Sequence, residues 1–163
     1  MKRSAALAIT IGVLSASALL GRRNATDPSH PRTRRWYQWL DKPGLTPPDA
    51  VFGVVWPLLE TGLAVGGYRL LRQPPGSARN AAAGLWLVNS ALIGGWTELF
   101  FRKHALAPSA ALSGVMTVCG TAFVIAAART DRTAATLGLP LTAWLGFATL
   151  MATDIWRANR RTD

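Results

Sequence analysis

The chain has 163 residues, half of them apolar, and carries 18 Lys and Arg against 8 Asp and Glu, a net charge of +10. Such a charge is typical of nucleic-acid-binding proteins, but here the basic residues stand in short clusters between long uncharged stretches, which argues against a nucleic-acid partner. One cysteine and two histidines, all far apart, supply no disulfide framework and no set of metal ligands. We therefore expect neither a metal nor a cofactor.

Five apolar windows lie between the basic clusters, and each is close to the ~20 residues with which a helix crosses a bilayer. They are Ser4 to Leu20, Ala50 to Leu71, Asn80 to Phe101, Ala105 to Ala128 and Thr133 to Trp156. A soluble bundle would show a polar face every 3.6 residues, whereas these windows carry mostly Ser, Thr, Gly and Asn as polar residues. The pattern predicts an all-α membrane protein, residues 1–163 forming a single domain of five transmembrane helices.

The first window allows two interpretations. Lys2 and Arg3, an apolar run and the small residues Ser15 to Ala18 are also typical of a secretory signal that is cleaved off. From these residues alone, a retained transmembrane helix and a signal peptide both remain open.

The first loop, residues 21–49, divides into two parts. Gly21 to Arg35 is rich in Pro and Arg without apolar periodicity, and it predicts a flexible connector at the membrane surface. Pro43, Pro47 and Pro48 disfavour helix for the residues before them, so Lys42 to Pro48 is expected to form a rigid extended turn that ends where the second helix starts.

The second helix carries an acidic residue deep in its apolar window. Phe52, Trp56 and Glu60 are spaced by four and share one helix face. Glu60 lies nine residues beyond Val51, about 13 Å deep at 1.5 Å per residue. An ionisable side chain at that depth is costly and usually faces a polar cavity or a partner. We expect Glu60 to be neutral or hydrogen-bonded in a pocket, and to be functional.

Two further helices carry aromatic stripes at helical spacing. The stripes are Asn89, Ile93, Trp96 and Phe100 in the third helix and Trp144, Ala148, Met151 and Ile155 in the fifth. Such stripes are more often core than ligand site. Three helices that each bring a tryptophan beside a small or polar residue nevertheless suit a large, flat, apolar ligand.

The basic residues predict the orientation in the membrane. One side receives the first loop, the Arg102-Lys103 loop and the C-terminal tail, with eleven Lys and Arg, and the other side receives seven. The side with more basic residues is predicted to be cytoplasmic. Glu98 lies four residues before Arg102, and Asp154 three before Arg157, so two helix-end ion pairs are expected.

The sequence resembles the translocator protein family, also called the TspO/MBR or tryptophan-rich sensory protein family. The resemblance rests on the element WY-x-x-L-x-KP-x-x-x-PP, which runs from Trp36 to Pro48, and on matching residues at the family's order and spacing further along the chain. These are Phe52, Gly53, Trp56, Leu59, Trp96, Phe100, Phe101, Pro140, Ala143, Trp144, Phe147, Ala148, Trp156, Arg157 and Asn159.

The resemblance implies five tightly packed helices with a retained first helix, usually as a homodimer, in a multi-pass protein of a bacterial cell membrane. It also implies a cavity, closed by the first loop, for porphyrins, benzodiazepine-like compounds or sterols. Tyr37, Trp56, Asn89, Trp144 and Ala148 would line that cavity by analogy. The residues expected to bind the ligand are Tyr37, Pro47, Phe52, Trp56, Glu60, Asn89, Ile93, Trp96, Trp144 and Ala148.

The sequence departs from the family pattern at four places. Glu60 stands where the family has Tyr, Ile93 where it has Asn, Leu141 where it has Tyr, and Met151-Ala152-Thr153 where it has Leu-Asn-Tyr. The last change removes the tyrosine of the C-terminal sterol pattern, which argues against sterol binding.

Three functions are compatible with the sequence. The first is binding of a porphyrin or similar flat hydrophobic molecule by a sensor, regulator or transporter. The second is light-dependent porphyrin degradation without a metal, in which the indoles of Trp56 and Trp144 would take part by family analogy. The third is a proton-coupled carrier or structural subunit, in which Glu60 titrates or holds helices together.

Overall fold

A computed structural model describes residues 1–24, 26 and 28–160 of the chain. It contains the helices α1 (Arg3–Arg23), α2 (Pro31–Trp39), α3 (Asp49–Arg72), α4 (Ser77–Thr97), α5 (Leu106–Ala128) and α6 (Arg132–Ala158). A short π-helix, Glu98–Arg102, continues α4. The described residues contain no β-strand. The prediction of an all-α protein is confirmed.

Among the described residues, four helices are long and apolar enough to cross a membrane: α1, α3, α5 and α6. Helix α4 has 21 residues, but Asn80, Asn89 and its tryptophans and glycines lower its hydropathy. Four of the five expected spans are therefore found, and the count of five stays a prediction.

The helices form an up-and-down bundle in which consecutive long helices are neighbours. Helix α1 packs against α3 and α4, α3 against α6, α4 against α5, and α5 against α6. At one end, Arg72 Nη1 donates to the Met1 carbonyl at 3.2 Å. At the other, Asn159 Nδ2 donates to the Asp41 carbonyl at 2.9 Å. We call the end where α3 stops and α6 starts the distal end, and the end that carries α2 the lid end.

The distal end is organised around Asp131, which caps α6. One carboxylate oxygen accepts from the Ala134 amide at 2.9 Å and from Arg69 Nε at 3.1 Å. The other lies 3.0 Å from Arg69 Nη2 and accepts from Gln73 Nε2 at 2.8 Å. Burial alone would raise the pKa of Asp131, but these hydrogen bonds and the Arg69 charge outweigh it and hold the pKa below its usual value. The network ties α3 to α6.

The middle of the bundle is packed around Trp86, whose side chain is 1% exposed. Its indole lies against Gly67 of α3, where an added Cβ would come within 2.1 Å of the ring. Because glycine presents no side chain here, α3 and α4 approach closely enough to bury the indole completely.

The first loop differs from its prediction. Residues 21–35 were expected to be flexible, but α1 continues to Arg23 and α2 begins at Pro31, so much of the segment is helical. Proline is favoured in the first turn of a helix, and α2 is stabilised by packing Trp36 and Tyr37 on the bundle. Ala25 and Asp27 of the predicted connector, like residues 161–163, lie outside the described residues.

The second part of the loop agrees with its prediction. Residues 40–48 are not helical, and the Thr46 amide donates to the Pro43 carbonyl at 2.9 Å, closing a turn. Helix α3 starts at Asp49. The two ion pairs are also confirmed, with Glu98 and Arg102 at 3.0 Å and Asp154 and Arg157 at 3.8 Å.

Candidate functional site

A cavity of about 720 Å³ opens at the lid end between α1, α3, α4 and α6, with α2 at its rim. Its volume lies within the range of about 300–1,000 Å³ that is usual for small-molecule sites. Most of its wall is apolar and aromatic, and its polar groups are few. The arrangement can enclose a hydrophobic molecule of considerable size.

The lid helix α2 is held on the bundle by aromatic rings. The Tyr37 ring packs edge-on against Phe101 at 5.7 Å between centroids and against Phe100 at 6.3 Å. Trp36 stacks on His104 at 3.9 Å. These partners lie in or just after the π-helix, which turns Phe100 and Phe101 toward the lid. The lid therefore closes on an aromatic platform at the end of α4.

Tyr37 is buried, and its hydroxyl is held neutral. Burial, followed by the nearby charge of Asp49, raises the pKa of Tyr37 from 10.0 to about 12. Lys42 Nζ lies 4.0 Å from the centroid of the same ring, on which it makes a cation–π contact. A neutral phenol can offer its O–H to a ligand in the cavity at any physiological pH.

Tryptophans from three helices line the cavity: Trp56 from α3, Trp96 from α4 and Trp144 from α6. Trp96 stacks on Phe100 at 4.8 Å and donates its Nε1–H to the Ser109 carbonyl at 3.0 Å. Trp144 meets Phe52 edge-on at 5.8 Å. Its buried Nε1 has no hydrogen-bond partner among the described residues. Because the Nε1 atom itself is buried, a ligand would reach this donor only after neighbouring side chains move.

Glu60 lies at the inner end of the cavity, one helix turn deeper than Trp56. Ser17 Oγ of α1 donates to Glu60 Oε1 at 2.8 Å. The structure thus places this carboxyl group in a pocket and gives it one hydrogen bond, as expected for an acidic residue at this depth.

Eight of the ten expected site residues line the cavity: Tyr37, Phe52, Trp56, Glu60, Ile93, Trp96, Trp144 and Ala148. Pro47 and Asn89 do not. Pro47 belongs to the turn that precedes α3. Asn89 lies one turn closer to the distal end than Ile93, below the cavity floor, and its Nδ2 donates to the Leu85 carbonyl at 2.8 Å. Asn89 is therefore a buried core residue at the level of Trp86.

Sequence reasoning missed several residues of the wall. Helix α1 contributes Ser17, Arg22 and, just after its end, Asn24, whose Nδ2 donates to Thr97 Oγ1 at 3.1 Å. Helix α5 contributes Ser113 and Met116. In the sequence, the small residues Ser15 to Ala18 are compatible with a transmembrane helix and with a cleavage site, and neither interpretation predicts that Ser17 lines a cavity. Helix α1 packs into the cavity wall, and its retention stays a prediction.

The charged side chains of the wall are unevenly placed. Arg22, Arg34 and Asp49 lie at the lid end, and Glu60 lies at the inner end. Asp49 and Glu60 are separated by about 16 Å along α3. Across the described part of the chain, no three His, Cys, Asp or Glu side chains come close enough together to hold a metal ion.

Comparison with known proteins finds relatives over most of the chain. The model of the TspO/MBR family matches residues 5–157 of the chain. The translocator protein of Homo sapiens is 32% identical over 134 residues, which cover 80% of this chain and 78% of that protein. The translocator protein of Bos taurus is 30% identical over 130 residues, 77% of this chain and 76% of that protein. Protein CrtK of Rhodobacter capsulatus is 27% identical over 129 residues, 76% of this chain and 78% of that protein.

Proposed function

Because the chain belongs to the TspO/MBR family of membrane proteins, we propose that it binds a porphyrin or a similarly flat, hydrophobic molecule in the lid-end cavity. It would act as a sensor, regulator or transporter of that molecule. The observation that carries the proposal is the cavity of about 720 Å³ into which three helices each bring a tryptophan.

The wall is suited to such a ligand in two respects. Indole and phenyl rings offer large, rigid, apolar surfaces against which a flat ring system packs well. Arg22 and Arg34 at the lid end would attract carboxylates on the outer edge of a porphyrin. The ring would then lie between Trp56 and Trp144, with its acidic edge toward the lid.

We further propose that α4 is the fifth membrane span and that residues 1–163 form one domain. Helix α4 starts at the distal end, after the short connection from α3, and reaches the lid end, where the π-helix meets α2. A helix that joins the same two ends as its neighbours crosses the same thickness of bilayer. The homodimer and the cytoplasmic location of the lid end remain predictions, supported by the family resemblance and by the basic residues respectively.

The test is a titration of the purified protein in lipid nanodiscs with protoporphyrin IX, followed by quenching of tryptophan fluorescence. We expect saturable quenching, and weaker binding in the double variant Trp56→Phe, Trp144→Phe. Trp39→Phe is the control, since Trp39 is 82% exposed and outside the cavity wall. Quenching that does not saturate, or that the double variant leaves unchanged, would refute the proposal.

A second candidate function, light-dependent breakdown of the bound porphyrin, is favoured by one observation. The indoles of Trp56 and Trp144 line the same cavity, and no described residue accepts a hydrogen bond from Trp144 Nε1. An indole against the ligand could exchange an electron with the light-excited porphyrin, with oxygen as the oxidant. Illumination of the complex in air tests this role: porphyrin absorbance must decay faster than without protein, and more slowly in Trp144→Phe.

A further inference from the structure

The carboxyl group of Glu60 has fewer hydrogen-bond partners than it can accept. Ser17 Oγ donates to one of its oxygens, and no Lys, Arg or His among the described residues forms an ion pair with it. An ionised carboxylate has about four acceptor positions. Burying it away from water is costly unless those positions are filled by hydrogen bonds or by an opposite charge. Most of its acceptor capacity is therefore available.

On the side of Glu60 that faces away from the main cavity, the space is large enough for little more than one water molecule. A void of about 10 Å³ lies between α1, α3 and α4, and its wall includes Ser17, Glu60, Trp86 and Ser90. This is about the smallest space that holds one water molecule. Trp86, 1% exposed, directs no hydrogen bond from Nε1 to any described residue. A water there would accept from Trp86 and donate to Glu60, which would fix the carboxylate as an acceptor. Any larger partner must approach from the main cavity.

The other charged side chains described in the cavity wall form no ion pair with Glu60. Arg22 and Arg34 are exposed and lie at the lid end, whereas Glu60 lies about 16 Å further in along α3 than Asp49. The cavity thus has an electrically positive rim and a single acidic group at its inner end. Glu60, Ile93 and Ala152, three of the four departures from the family pattern, belong to this wall. They replace neutral polar side chains by a carboxylate and two apolar groups.

We propose that Glu60 receives a nitrogen-bearing group of the ligand, above all a protonated amine, at the inner edge of the flat ring system. The inference rests on the proposed function, because it assumes that the cavity binds a ligand. It specifies the class: a planar apolar body with a basic nitrogen on one edge and any carboxylates on the opposite edge, toward Arg22 and Arg34. Protoporphyrin, in the orientation proposed above, would turn its hydrocarbon vinyl edge toward Glu60 and leave the carboxyl group without this partner, so we expect a flat ligand that carries the amine to bind more tightly.

Two pyrene probes of similar shape test the proposal in nanodiscs. One is 1-pyrenemethylamine, which is protonated at neutral pH, and the other is 1-ethylpyrene. Binding is followed by energy transfer from tryptophan to pyrene in the unaltered protein, in Glu60→Gln, and in Glu98→Gln. The last variant is the matched control, because Glu98 is also a carboxyl group in the bundle but pairs with Arg102 outside the cavity wall.

We expect Glu60→Gln to weaken binding of the amine about tenfold or more, since a hydrogen bond to a charged group is lost. The same variant should bind 1-ethylpyrene as well as, or better than, the unaltered protein. Glu98→Gln should change neither affinity more than about twofold, as is usual for an exposed ion pair. An unchanged affinity for the amine in Glu60→Gln, or an equal loss for both probes, would overturn the proposal.

Two additional measurements keep the outcome decisive. If Glu60→Gln does not fold, Glu60→Met serves in its place, because it removes the half-buried carboxyl group at similar volume and must show the same selective loss of the amine. Protoporphyrin is titrated in parallel. Saturable porphyrin binding with an amine affinity independent of Glu60 refutes this inference alone. An amine affinity that depends on Glu60, without saturable porphyrin binding, refutes only the porphyrin assignment.

Discussion

The distal end and the lid end of the bundle are held together by different forces. At the distal end, the buried carboxylate of Asp131 binds Arg69, Gln73 and the first turn of α6 in one hydrogen-bond network. At the lid end, α2 packs on aromatic rings beside a large cavity, and few hydrogen bonds or ion pairs are described there. Directional charged hydrogen bonds fix one geometry, whereas ring contacts can be broken and remade at modest cost. The distal end thus suits stability, and the lid end suits entry and release of a ligand.

The largest effect is expected from Asp131→Ala. The change removes the helix cap of α6 and the charged acceptor of Arg69 and Gln73, so we expect a loss of about 3 kcal/mol in the free energy of unfolding, about 1 from the cap and the rest from these hydrogen bonds. The lid-end cavity lies at the other end of the bundle, so the affinity for protoporphyrin of the protein that remains folded should stay within about twofold. Unfolding by a denaturing detergent, followed by circular dichroism, measures the first quantity.

A matched control for that experiment is Asp154→Asn, which removes an exposed carboxylate that lies 3.8 Å from Arg157. Exposed ion pairs contribute at most about 1 kcal/mol, so its stability should be close to that of the unaltered protein. If Asp131→Ala is no less stable than Asp154→Asn, the distal end does not have the role assigned to it.

The next effect is expected from Gly67→Ala, halfway along the bundle. The new methyl group would come within 2.1 Å of Trp86 Cε2, and the ring, at 1% exposure, adjoins a void of only about 10 Å³, too small to take up the shift. Overpacking of this kind costs about 2 kcal/mol. Gly84→Ala on α4, where an added Cβ would meet nothing within 4 Å, is the control and should be neutral or slightly stabilising. Equal thermal stability of the two variants would contradict the packing described here.

At the lid end, Tyr37→Ala should act on binding more than on stability. The variant removes the ring contacts with Phe100 and Phe101, so α2 opens more often while the helices below keep their packing. We expect protoporphyrin to dissociate about tenfold faster, which corresponds to about 1.4 kcal/mol. Stopped-flow fluorescence measures the rate, and Trp39→Ala, at an 82% exposed position of the same helix, is the control. A large loss of stability with an unchanged dissociation rate would reverse the assignment of the two ends.

The contrast also explains what the sequence could and could not reveal. That Phe52, Trp56 and Glu60 share one face of α3 was predictable, because their spacing of four residues lies within a single apolar window. Asp131 was not, because its partner Arg69 is 62 residues away and no local pattern links them. Helix α2 was missed because it is stabilised by contacts with the distant π-helix. Asn89 shares the stripe of Ile93, but periodicity gives the side of a helix and does not give the depth at which a cavity ends.

The smallest effect is one that appears only in alkali and concerns the docked lid. The pKa of Tyr37 is raised from 10.0 to about 12 in the folded protein, so the neutral phenol stabilises the closed lid fully below pH 10. That contribution decreases as the pH rises from about 10 to about 12, because the open lid loses the proton first. Spectrophotometric titration of Tyr68→Phe, in which Tyr37 is the only tyrosine, should give a midpoint near 12, and near 10 after unfolding. A midpoint near 10 in the folded protein would mean that Tyr37 is in contact with water and that the lid does not close on the aromatic platform.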